Sequence, residues 1–412
     1  MKKLIILLSL ITLSCSNDKD VTNTPPILTE EVLTYNHEKI NNDLLLVNDA
    51  ANDEVYLLKK NGEKFHEWTL SNEIGNDVTL EDDGNLLALL KTDNDQITFG
   101  GHGGKIQRIN PDSKIDWEFT YSTSEYNLHH DIEKLPNGNI LALLWEKKTN
   151  LEAKEKGYKG DEDLFIESII EINPKTNNIV WKWSSWNHTV QNIDNTKLNY
   201  ASISNNPQLI DINYNSSTNG DIMHANAIEY DSKNDLIFIS VNFYSEIWVI
   251  DHSTTTEEAT TNSGGNYNKG GNLIYRFGNP SSYKGDGKRL FYNNHHCNFI
   301  KNDLPGGGNM LVFNNGTNNN LSSVFELKLP NTFDFKTPPN IIWLYENPEL
   351  YFAKVSGAVR TKNGNTLITE GDFGYWEVTE NKEVVWQYSK SGFFWRGYPY
   401  EYNSEAITNL KK

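Results

Sequence analysis

The chain has 412 residues, of which 37 are Lys or Arg and 55 are Asp or Glu, so its formal net charge is −18. This charge argues against nucleic-acid binding, and against binding of the globular part to anionic membranes, because both partners would be repelled. Hydrophobic residues make up only 37% of the chain, but 12% are aromatic, which predicts a core built from strand aromatics.

The first 15 residues have the pattern of an export signal. Two lysines at 2–3 precede an apolar run at 4–13 that is too short to span a bilayer. The small residue directly before Cys15 is typical of a bacterial lipoprotein signal and predicts a lipidated Cys15; an ordinary signal peptide is the alternative. Residues 16–34 are polar and aperiodic, which predicts a flexible tether that resembles the export tags of Bacteroidetes-type surface lipoproteins. We therefore expect an exported protein, anchored by lipid in the cell envelope at the outer membrane, at the cell surface or in the periplasm.

Two short patterns alternate along residues 35–412. The first is a pair of aromatic residues one position apart, whose side chains would share one face of a strand. It occurs, imperfectly at first, at His66/Trp68, Trp117/Phe119, Trp181/Trp183, Tyr275/Phe277, Trp343/Tyr345 and Trp386/Tyr388. The second is a tight Gly-Asn turn followed by an apolar strand, at 82–90, 136–144, 306–313 and 362–369. About six repeats of this unit predict an all-β fold, a six-bladed β-propeller of small antiparallel sheets.

Two polar insertions interrupt the repeat between Trp181 and Tyr275. They cover residues 192–220 and 252–271 and show neither strand nor helix periodicity. Long loops in a compact domain are usually functional or disordered. We expect these two to wall a pocket.

Aligning the turn-strand units places histidines in one column. His130 and His295 each lie five residues before the turn, and His224 has nearly the same place in the central unit. Asn76 and Ser356 occupy this column in the first and last units. Because equivalent positions of a propeller form a ring around its axis, three imidazoles would converge at one channel mouth. Strand alternation would point their neighbours His129 and His296 away.

Two other interpretations of the column remain open. Each histidine, taken alone, is more typical of a satisfied core residue. Three neutral imidazoles also suit zinc, although we predict neither a metal nor a cofactor.

Three blocks of the sequence resemble the bacterial arylsulfotransferase family. They are HHDIEKLPNGN at 129–139, DIMHANAIEYDSKNDLIFISVNFYSEIWVID at 221–251 and NHHCNFIKNDLPGGGNMLVFNNG at 294–316, in family order. The resemblance implies a six-bladed propeller that moves a sulfuryl group from an aryl sulfate ester to a phenol. It also implies that no nucleotide donor is used, and the chain has no G-x-x-x-x-G-K-[ST] loop.

The resemblance implies roles for individual residues. His295 matches the nucleophile that is transiently sulfated, with His296 as the fallback. His224 and Asn226 match the block that contacts the sulfuryl oxygens, and His130 matches a histidine of the funnel. Aromatic side chains near the mouth, namely Tyr244, Phe243 and Tyr292, are candidates to stack on the aryl ring.

Two positions depart from the family pattern. Asn242 stands where the family usually has an Arg near the sulfuryl group, and Asn314 stands where it has an Asp. An absent charged donor weakens the stabilisation of a transition state, commonly by about 100- to 1000-fold in rate. Another cation from a different blade is an open replacement, with Arg289, Arg360 and Arg396 as the candidates.

Two competing functions follow from the same residues. A glycan-active lyase would use His130, His224 and Tyr244 to abstract a proton beside a uronic acid carboxylate, in a long open groove. A noncatalytic propeller would bind a glycan or a protein partner, which would agree with the missing Arg and Asp. The oligomeric state is not predicted, because no apolar stripe marks an interface.

Overall fold

The Gly-Asn turns of the sequence close antiparallel hairpins. Gly84 and Gly138 have φ values of 89° and 86°, a conformation that glycine adopts without steric cost. The backbone amide of Leu135 donates to the carbonyl of Asn139 at 2.8 Å, which seals the turn at Gly138. Each such turn joins the two innermost strands of one sheet.

The computed structural model describes residues 26–316 and 320–411. Its strands are β1 Val32–Tyr35, β2 Leu44–Asp49, β3 Glu54–Lys59, β4 Lys64–Trp68, β5 Ile74–Leu80, β6 Leu86–Lys91, β7 Gly104–Ile109, β8 Ile115–Thr120, β9 Tyr126–Lys134, β10 Ile140–Lys148, β11 Leu164–Asn173, β12 Asn178–Ser184, β13 Thr189–Val190, β14 Ile210–Asp211, β15 Ala225–Asp231, β16 Leu236–Val241, β17 Glu246–Asp251, β18 Tyr275–Phe277, β19 Asn294–Phe299, β20 Met310–Asn314, β21 Ser323–Lys328, β22 Asn340–Glu346, β23 Gly357–Arg360, β24 Thr366–Glu370, β25 Gly374–Val378, β26 Val384–Ser389 and β27 Phe394–Tyr400. Its helices are α1 Asn150–Glu155 and α2 Glu405–Leu410, with 3-10 turns at Ser185–His188, Glu258–Thr260 and Pro280–Tyr283. None of the helices in these two ranges is long and apolar enough to cross a membrane.

The strands form six antiparallel sheets arranged as blades, which confirms the predicted six-bladed propeller. Blade 1 has the order β27-β2-β3-β4, and blades 2 and 3 are β5–β8 and β9–β12. Blades 4 and 5 are β15–β18 and β19–β22, and blade 6 is β23–β26 with β1 at its outer edge. The short strands β13 and β14 form a separate parallel pair.

Strands from both ends of the chain help to close the ring of blades. The C-terminal strand β27 is the innermost strand of blade 1, where it pairs with β2. The N-terminal strand β1 pairs with β26, with Tyr35 opposite Trp386. The predicted tether at 16–34 therefore extends too far, because backbone pairing with blade 6 already begins at Val32. The predicted signal at 1–15, including Cys15, and the start of the tether lie outside the described residues.

The aromatic pairs lie on the fourth strand of each blade, counted outwards from the axis. The two rings are nearly parallel in three pairs: Trp117 and Phe119 lie 6.4 Å apart at 8°, Trp343 and Tyr345 lie 5.8 Å apart at 10°, and Trp386 and Tyr388 lie 6.1 Å apart at 13°. The rings of Tyr275 and Phe277 are tilted by 31°, and those of His66 and Trp68 meet edge to face at 76°. Such large apolar surfaces pack the outer strands against their neighbours.

A buried ionic cluster joins the first and last blades. Lys60 Nζ lies 2.7 Å from Glu377 of blade 6 and 3.2 Å from Asp43, and it also lies over the ring of Trp386. The three charged side chains are at most 2% exposed. Since water does not reach these groups, each charge is stabilised by the opposite charges of the cluster. The cluster therefore holds blades 1 and 6 together at the point where the ring closes.

We expect Lys60→Met to destabilise the fold by about 3–5 kcal/mol, because it leaves two buried carboxylates without their cation. Chemical denaturation of the wild-type protein and the variant measures this difference. The matched control is Lys59→Met, which removes an exposed ion pair with Glu63 and should change the stability little. Equal effects of the two substitutions would contradict a stabilising role for the buried cluster.

Candidate functional site

The inner strands depart from regular pairing where they reach the histidines. The register shifts between Ala142 and Leu144 in the pairing of β10 with β9, and between His295 and Cys297 in β19. Positive φ values of 52°, 56° and 47° occur at His130, His224 and His296, a conformation that is uncommon outside glycine. A bulge of this kind breaks strand alternation and changes the direction of the side chains that follow.

These irregular segments enclose a small cavity on the axis. Its volume is about 10 Å³, enough for roughly one water molecule. All six inner strands or their entry loops contribute to its lining, which consists of Asn76, Asp77, His130, Asn226, His295, His296, Ser356, Trp395 and Arg396. The structure thus brings together most of the column that the sequence places in a ring, and His224 joins it through contact with His130, at 4.7 Å between ring centres.

His295 is oriented by a hydrogen bond to Asn315 and lies close to Asn242. Its Nδ1 lies 2.6 Å from Asn315 Oδ1 and 3.2 Å from Asn242 Nδ2. Because the carbonyl oxygen of Asn315 only accepts, the Nδ1 atom donates and the lone pair of the neutral ring is on Nε2. Burial is the main cause that lowers the pKa of His295 to about 3. The hydrogen bond to Asn315 acts in the opposite direction, and the charge of His224 lowers the pKa further. The ring is therefore neutral at physiological pH.

His224 has the opposite protonation preference. Its Nδ1 lies 2.5 Å from Asp221 Oδ2. Burial lowers the pKa of His224, but the charge and hydrogen bond of Asp221, together with Glu167, outweigh burial and raise the pKa above its usual value. The charged ring of His224 thus lies 4.7 Å from the ring of His130, measured between ring centres. The ring of Phe243 stacks on His224, also at 4.7 Å.

His129 lies in the site and does not point away from it, contrary to the prediction. Its Nδ1 is 2.9 Å from His130 Nδ1, and its Nε2 is 3.0 Å from Glu167 Oε2. The positive φ of His130 ends the simple alternation of β9, so two consecutive histidines meet. Sequence reasoning missed Glu167, which lies two strands away in β11 and carries no local signal. It also missed Asp221, although an acidic residue three positions before a histidine is a weak signal.

His296 lines the cavity, but its nitrogens are engaged elsewhere. Its Nδ1 accepts from the amide of Ala358 at 3.3 Å, and its Nε2 lies 3.4 Å from Asn298 Nδ2. Burial, with the charges of Arg396 and His295, lowers the pKa of His296 well below its usual value. Between the two adjacent histidines, His295 therefore has the better-defined lone pair.

Of the three candidate arginines, Arg396 is the one that reaches the cavity. Its Nη1 lies 2.9 Å from Asp131 Oδ2, and its Nη2 donates to the carbonyl of Asn226 at 2.7 Å. Burial raises the pKa of Asp131 to about 7; the charge of Arg396 acts to lower this pKa, and the charge of Asp77 acts to raise it. Arg360 instead pairs with Glu326, and Arg289 covers the ring of Tyr292.

The remaining predicted positions have structural partners. Tyr244 is completely buried and donates to the carbonyl of Asp211 at 2.7 Å, so it does not line the cavity as expected. The partly exposed aromatic beside the site is its neighbour Phe243. Asn314 Oδ1 accepts from the amide of Tyr292 at 2.6 Å, which gives this position a role in shaping the entry loop.

The two insertions differ in position. The first lies beside the site, where Asn215 Nδ2 donates to the carbonyl of Phe243 at 2.7 Å. The second packs on the outer strand β12, where Trp183 Nε1 donates to the carbonyl of Gly271 at 2.7 Å. The first insertion therefore reaches the edge of the site, but no residue of either insertion lines the axial cavity.

Within the two described ranges, no group of three or more His, Cys, Asp or Glu residues is arranged to hold a metal ion.

Comparison with known proteins gives one family and several distant structural matches. The chain is similar to the hydrazine synthase of Kuenenia stuttgartiensis (15% identity, TM-score 0.39), with 66% of this chain and 65% of that chain covered, which is just under two thirds of its length. It is also similar to a putative 6-phosphogluconolactonase from Bacteroides fragilis, with 9% identity, a TM-score of 0.43, and 88% of this chain and 99% of that chain covered. A third similar structure is the Cps50 (Swd1) β-propeller domain of Myceliophteria thermophila, with 9% identity, a TM-score of 0.43, and 89% of this chain and 95% of that chain covered. At these TM-scores the matches support no functional argument. Among curated proteins, none matches the chain.

The family comparison covers most of the propeller. The profile described as Arylsulfotransferase (ASST) matches residues 29–392, which include the whole histidine site except Trp395 and Arg396. The chain therefore belongs to the arylsulfotransferase (ASST) family.

Proposed function

We propose that the protein moves a sulfuryl group from an aryl sulfate ester to a phenolic acceptor through a sulfo-histidine intermediate on His295, without a nucleotide donor. The observation that supports this most directly is the contrast between two imidazoles of the site. His295 is neutral with its lone pair on Nε2, whereas Asp221 keeps His224 charged. A nucleophile and a cation in one site suit the transfer of an anionic group.

In the first half-reaction, Nε2 of His295 attacks sulfur, the N–S bond forms and the bond from sulfur to the aryl oxygen breaks. The leaving phenolate takes a proton from the charged His224. In the second half-reaction, a phenol returns a proton to His224 while its oxygen attacks the same sulfur, the N–S bond breaks and the neutral imidazole of His295 is restored. By analogy with phosphoryl transfer, the transition state is loose, with negative charge on the equatorial oxygens. The protein therefore contributes mainly by positioning groups and by donating hydrogen bonds.

The equatorial oxygens need donors close to His295. His224, charged by its contact with Asp221, and the guanidinium of Arg396 are the cations at the site. The side chain of Asn226 lines the same cavity. Arg396 thus supplies, from the closing strand β27, the kind of fixed cation that Asn242 does not supply. Asn242 itself lies beside His295, with its Nδ2 3.2 Å from the Nδ1 atom of the ring.

The substrate aryl group requires an apolar surface beside the nucleophile. Phe243 is 40% exposed and stacks on His224, and Tyr292 is also 40% exposed and lies three residues before His295. These two rings are the candidates for contact with small aryl sulfates and phenols.

The glycan-lyase alternative is less well supported. It needs a long open groove and a base at Tyr244, but the site is a small axial cavity and Tyr244 is buried among Trp248 and Tyr214. No contact of the described residues specifically favours a noncatalytic binding function.

The first prediction concerns the nucleophile. With 4-nitrophenyl sulfate and a phenol, we expect acceptor-dependent release of nitrophenol and, without acceptor, a mass increase of one sulfuryl group. His295→Ala should abolish the adduct and lower turnover by roughly 1000-fold or more, since it removes the group that forms the covalent bond.

The matched control for this experiment is His252→Ala. His252 pairs with Asp235 and Glu171, away from the cavity, so the adduct should form as in the wild type. An adduct that persists in His295→Ala but disappears in His296→Ala would move the nucleophile to His296. Absence of both turnover and adduct in the wild-type protein would contradict sulfuryl transfer.

The second prediction concerns pH. The native pKa of His224 lies above the value of about 6.5 for an unfolded chain, so this ion pair stabilises the fold fully below that pH. The stabilisation is lost as the pH rises through the native pKa, and activity that needs charged His224 falls over the same interval. Asp221→Asn should lower the pKa of His224 and shift the alkaline limb of kcat/KM to lower pH.

A suitable control is Asp235→Asn, which removes the carboxylate 2.7 Å from His252 and should leave the alkaline limb of activity in place. Parallel pH profiles of kcat/KM, with thermal unfolding at each pH, measure both effects. An unchanged alkaline limb in Asp221→Asn would show that His224 is not the group that must be charged.

We also propose that Cys15 carries lipid and anchors the exported protein in the cell envelope. The support is the signal pattern of the sequence. Cys15→Ser should release the protein from the membrane fraction into the soluble fraction, as measured by fractionation of cells that express each form. Retention of the variant in membranes would contradict a lipid anchor at Cys15.

A further inference from the structure

A second cavity lies in a groove between blades 2 and 3. Its volume is about 380 Å³, which is within the range of pockets that hold small organic molecules. Residues of both blades line this inter-blade groove, and none of them lines the axial cavity. Lys134, at the groove, follows His130 by four residues on β9, which is roughly 13 Å along an extended strand. The groove and the axial site are therefore separate.

Part of the groove is apolar. The buried side chains of Leu87 and Ile140 and the half-buried indole of Trp117 line it. Trp117 Nε1 donates to Asn177 Oδ1 at 2.7 Å, and the indole lies parallel to the ring of Phe119, 6.4 Å away. The indole is thus held at its edge and on one face. Its remaining surface, beside the two aliphatic side chains, suits contact with a flat apolar ring.

Three cations surround this apolar part, namely Arg108, Lys134 and Lys175. The carboxylate of Glu81 accepts from Arg108 Nε and pairs with Lys134 Nζ, each at 2.5 Å, and Arg108 also pairs with Asp83. Three positive charges thus meet two negative ones, which leaves one positive charge in excess. The ammonium group of Lys175 is exposed and has no partner within residues 26–316 and 320–411, so the excess charge lies there.

The polar atoms that remain free at the groove are mainly donors. The carboxylate of Glu81 is occupied by its two cations. Asn137 Oδ1 accepts from the amide of Asn139 at 2.8 Å, and Asn173 Oδ1 accepts from the amide of Lys175 at 3.0 Å. The side-chain NH₂ group of Asn173 and the ammonium group of Lys175 are left to donate, with Oδ1 of Asn139 as a lone acceptor. A neutral sugar needs acceptors as well as donors for its hydroxyl groups, whereas an anion needs donors.

We propose that the inter-blade groove is an accessory binding site for a small aromatic anion, a ring that carries a sulfate, sulfonate or carboxylate group. The ring lies against Trp117, Leu87 and Ile140, and the anionic group pairs with Lys175. The formal net charge of the chain is −18, so its overall field repels anions, and an anionic ligand needs a local excess of positive charge. This site does not depend on the proposed sulfuryl transfer, although aryl sulfates belong to the class of ligand that it would take.

Benzenesulfonate is the probe for a direct test, because it has the ring and the anion but no ester bond to cleave. Replacing the 11 tryptophans with fluorotryptophan makes each one visible by fluorine NMR. The Trp117 resonance is assigned by its absence in Trp117→Phe. The resonance of Trp395, which lines the axial cavity, is assigned in the same way. Titration with benzenesulfonate should shift the Trp117 resonance to saturation.

Two related probes separate the contributions of the ring and the charge. Benzenesulfonamide keeps the ring but is neutral, and methanesulfonate keeps the anion but has no ring. We expect each to shift the Trp117 resonance with an affinity about 10-fold or more below that of benzenesulfonate. This comparison uses the wild-type sequence, so it does not depend on how a variant folds.

Lys175→Glu should weaken the binding that Trp117 reports by about 10-fold, because it replaces the free cation with a charge that repels the ligand. The matched control is Lys114→Glu. Lys114 lies in the corresponding turn of blade 2, is exposed and pairs with Asp112, and does not line the groove. The control makes the same change in net charge and should bind benzenesulfonate as the wild type does.

Several results would overturn the accessory site. One is a Trp117 resonance that benzenesulfonate does not move, and another is equal weakening in Lys175→Glu and Lys114→Glu. Equal affinity for benzenesulfonamide, or for the neutral sugar methyl glucoside, would show that the groove does not select an anion. Adduct formation on His295 is measured separately, so either proposal can fail while the other stands.

Discussion

The site depends on one backbone constraint, which is that the inner strands lose their regular alternation where they reach the axis. A regular strand would send consecutive side chains to opposite faces, so His129 and His130 would not meet. The positive φ of His130, His224 and His296 costs roughly 1–3 kcal/mol at each residue, and such strain persists only where the surrounding structure holds it. Here the rest of each sheet and the neighbouring blades hold it. This backbone conformation directs polar side chains from several blades towards one small cavity.

Within that cavity, hydrogen-bond partners assign different tasks to chemically identical side chains. Burial alone would make every imidazole neutral. The carboxylate of Asp221 reverses this effect for His224, whereas the amide oxygen of Asn315 fixes a tautomer of His295 without adding charge. Two histidines from different blades thus have opposite protonation preferences, and the proposed sulfuryl transfer assigns them the roles of cation and nucleophile. The difference comes from the residue that each ring contacts, Asp221 for His224 and Asn315 for His295.

The fold could be predicted from the sequence because its signals are local. A Gly-Asn turn and an alternating aromatic pair each fit within ten residues; the turn recurs in four blades and the pair in all six. The column of His130, His224 and His295 followed from the same register. The partners behind these rings could not be predicted, since Glu167 and Asn315 reach them through pairing between strands. Tyr244 and Phe243 are adjacent, and only the backbone after β16 decides that Tyr244 enters the core while Phe243 stacks on His224.

Arg396 connects closure of the ring with completion of the site. It lies on β27, the C-terminal strand of the described residues, which forms the innermost strand of blade 1 and so closes the ring. Its guanidinium contacts Asp131 of blade 3, the carbonyl of Asn226 in blade 4 and Asp77 of blade 2. A single side chain therefore ties four blades at the axis, and the cavity acquires its fixed cation when the ring is closed. The cation that position 242 does not provide is in this way placed at the cavity by strand β27, so the stability of the seam at Lys60 and the chemistry proposed for His295 both depend on closure of the ring.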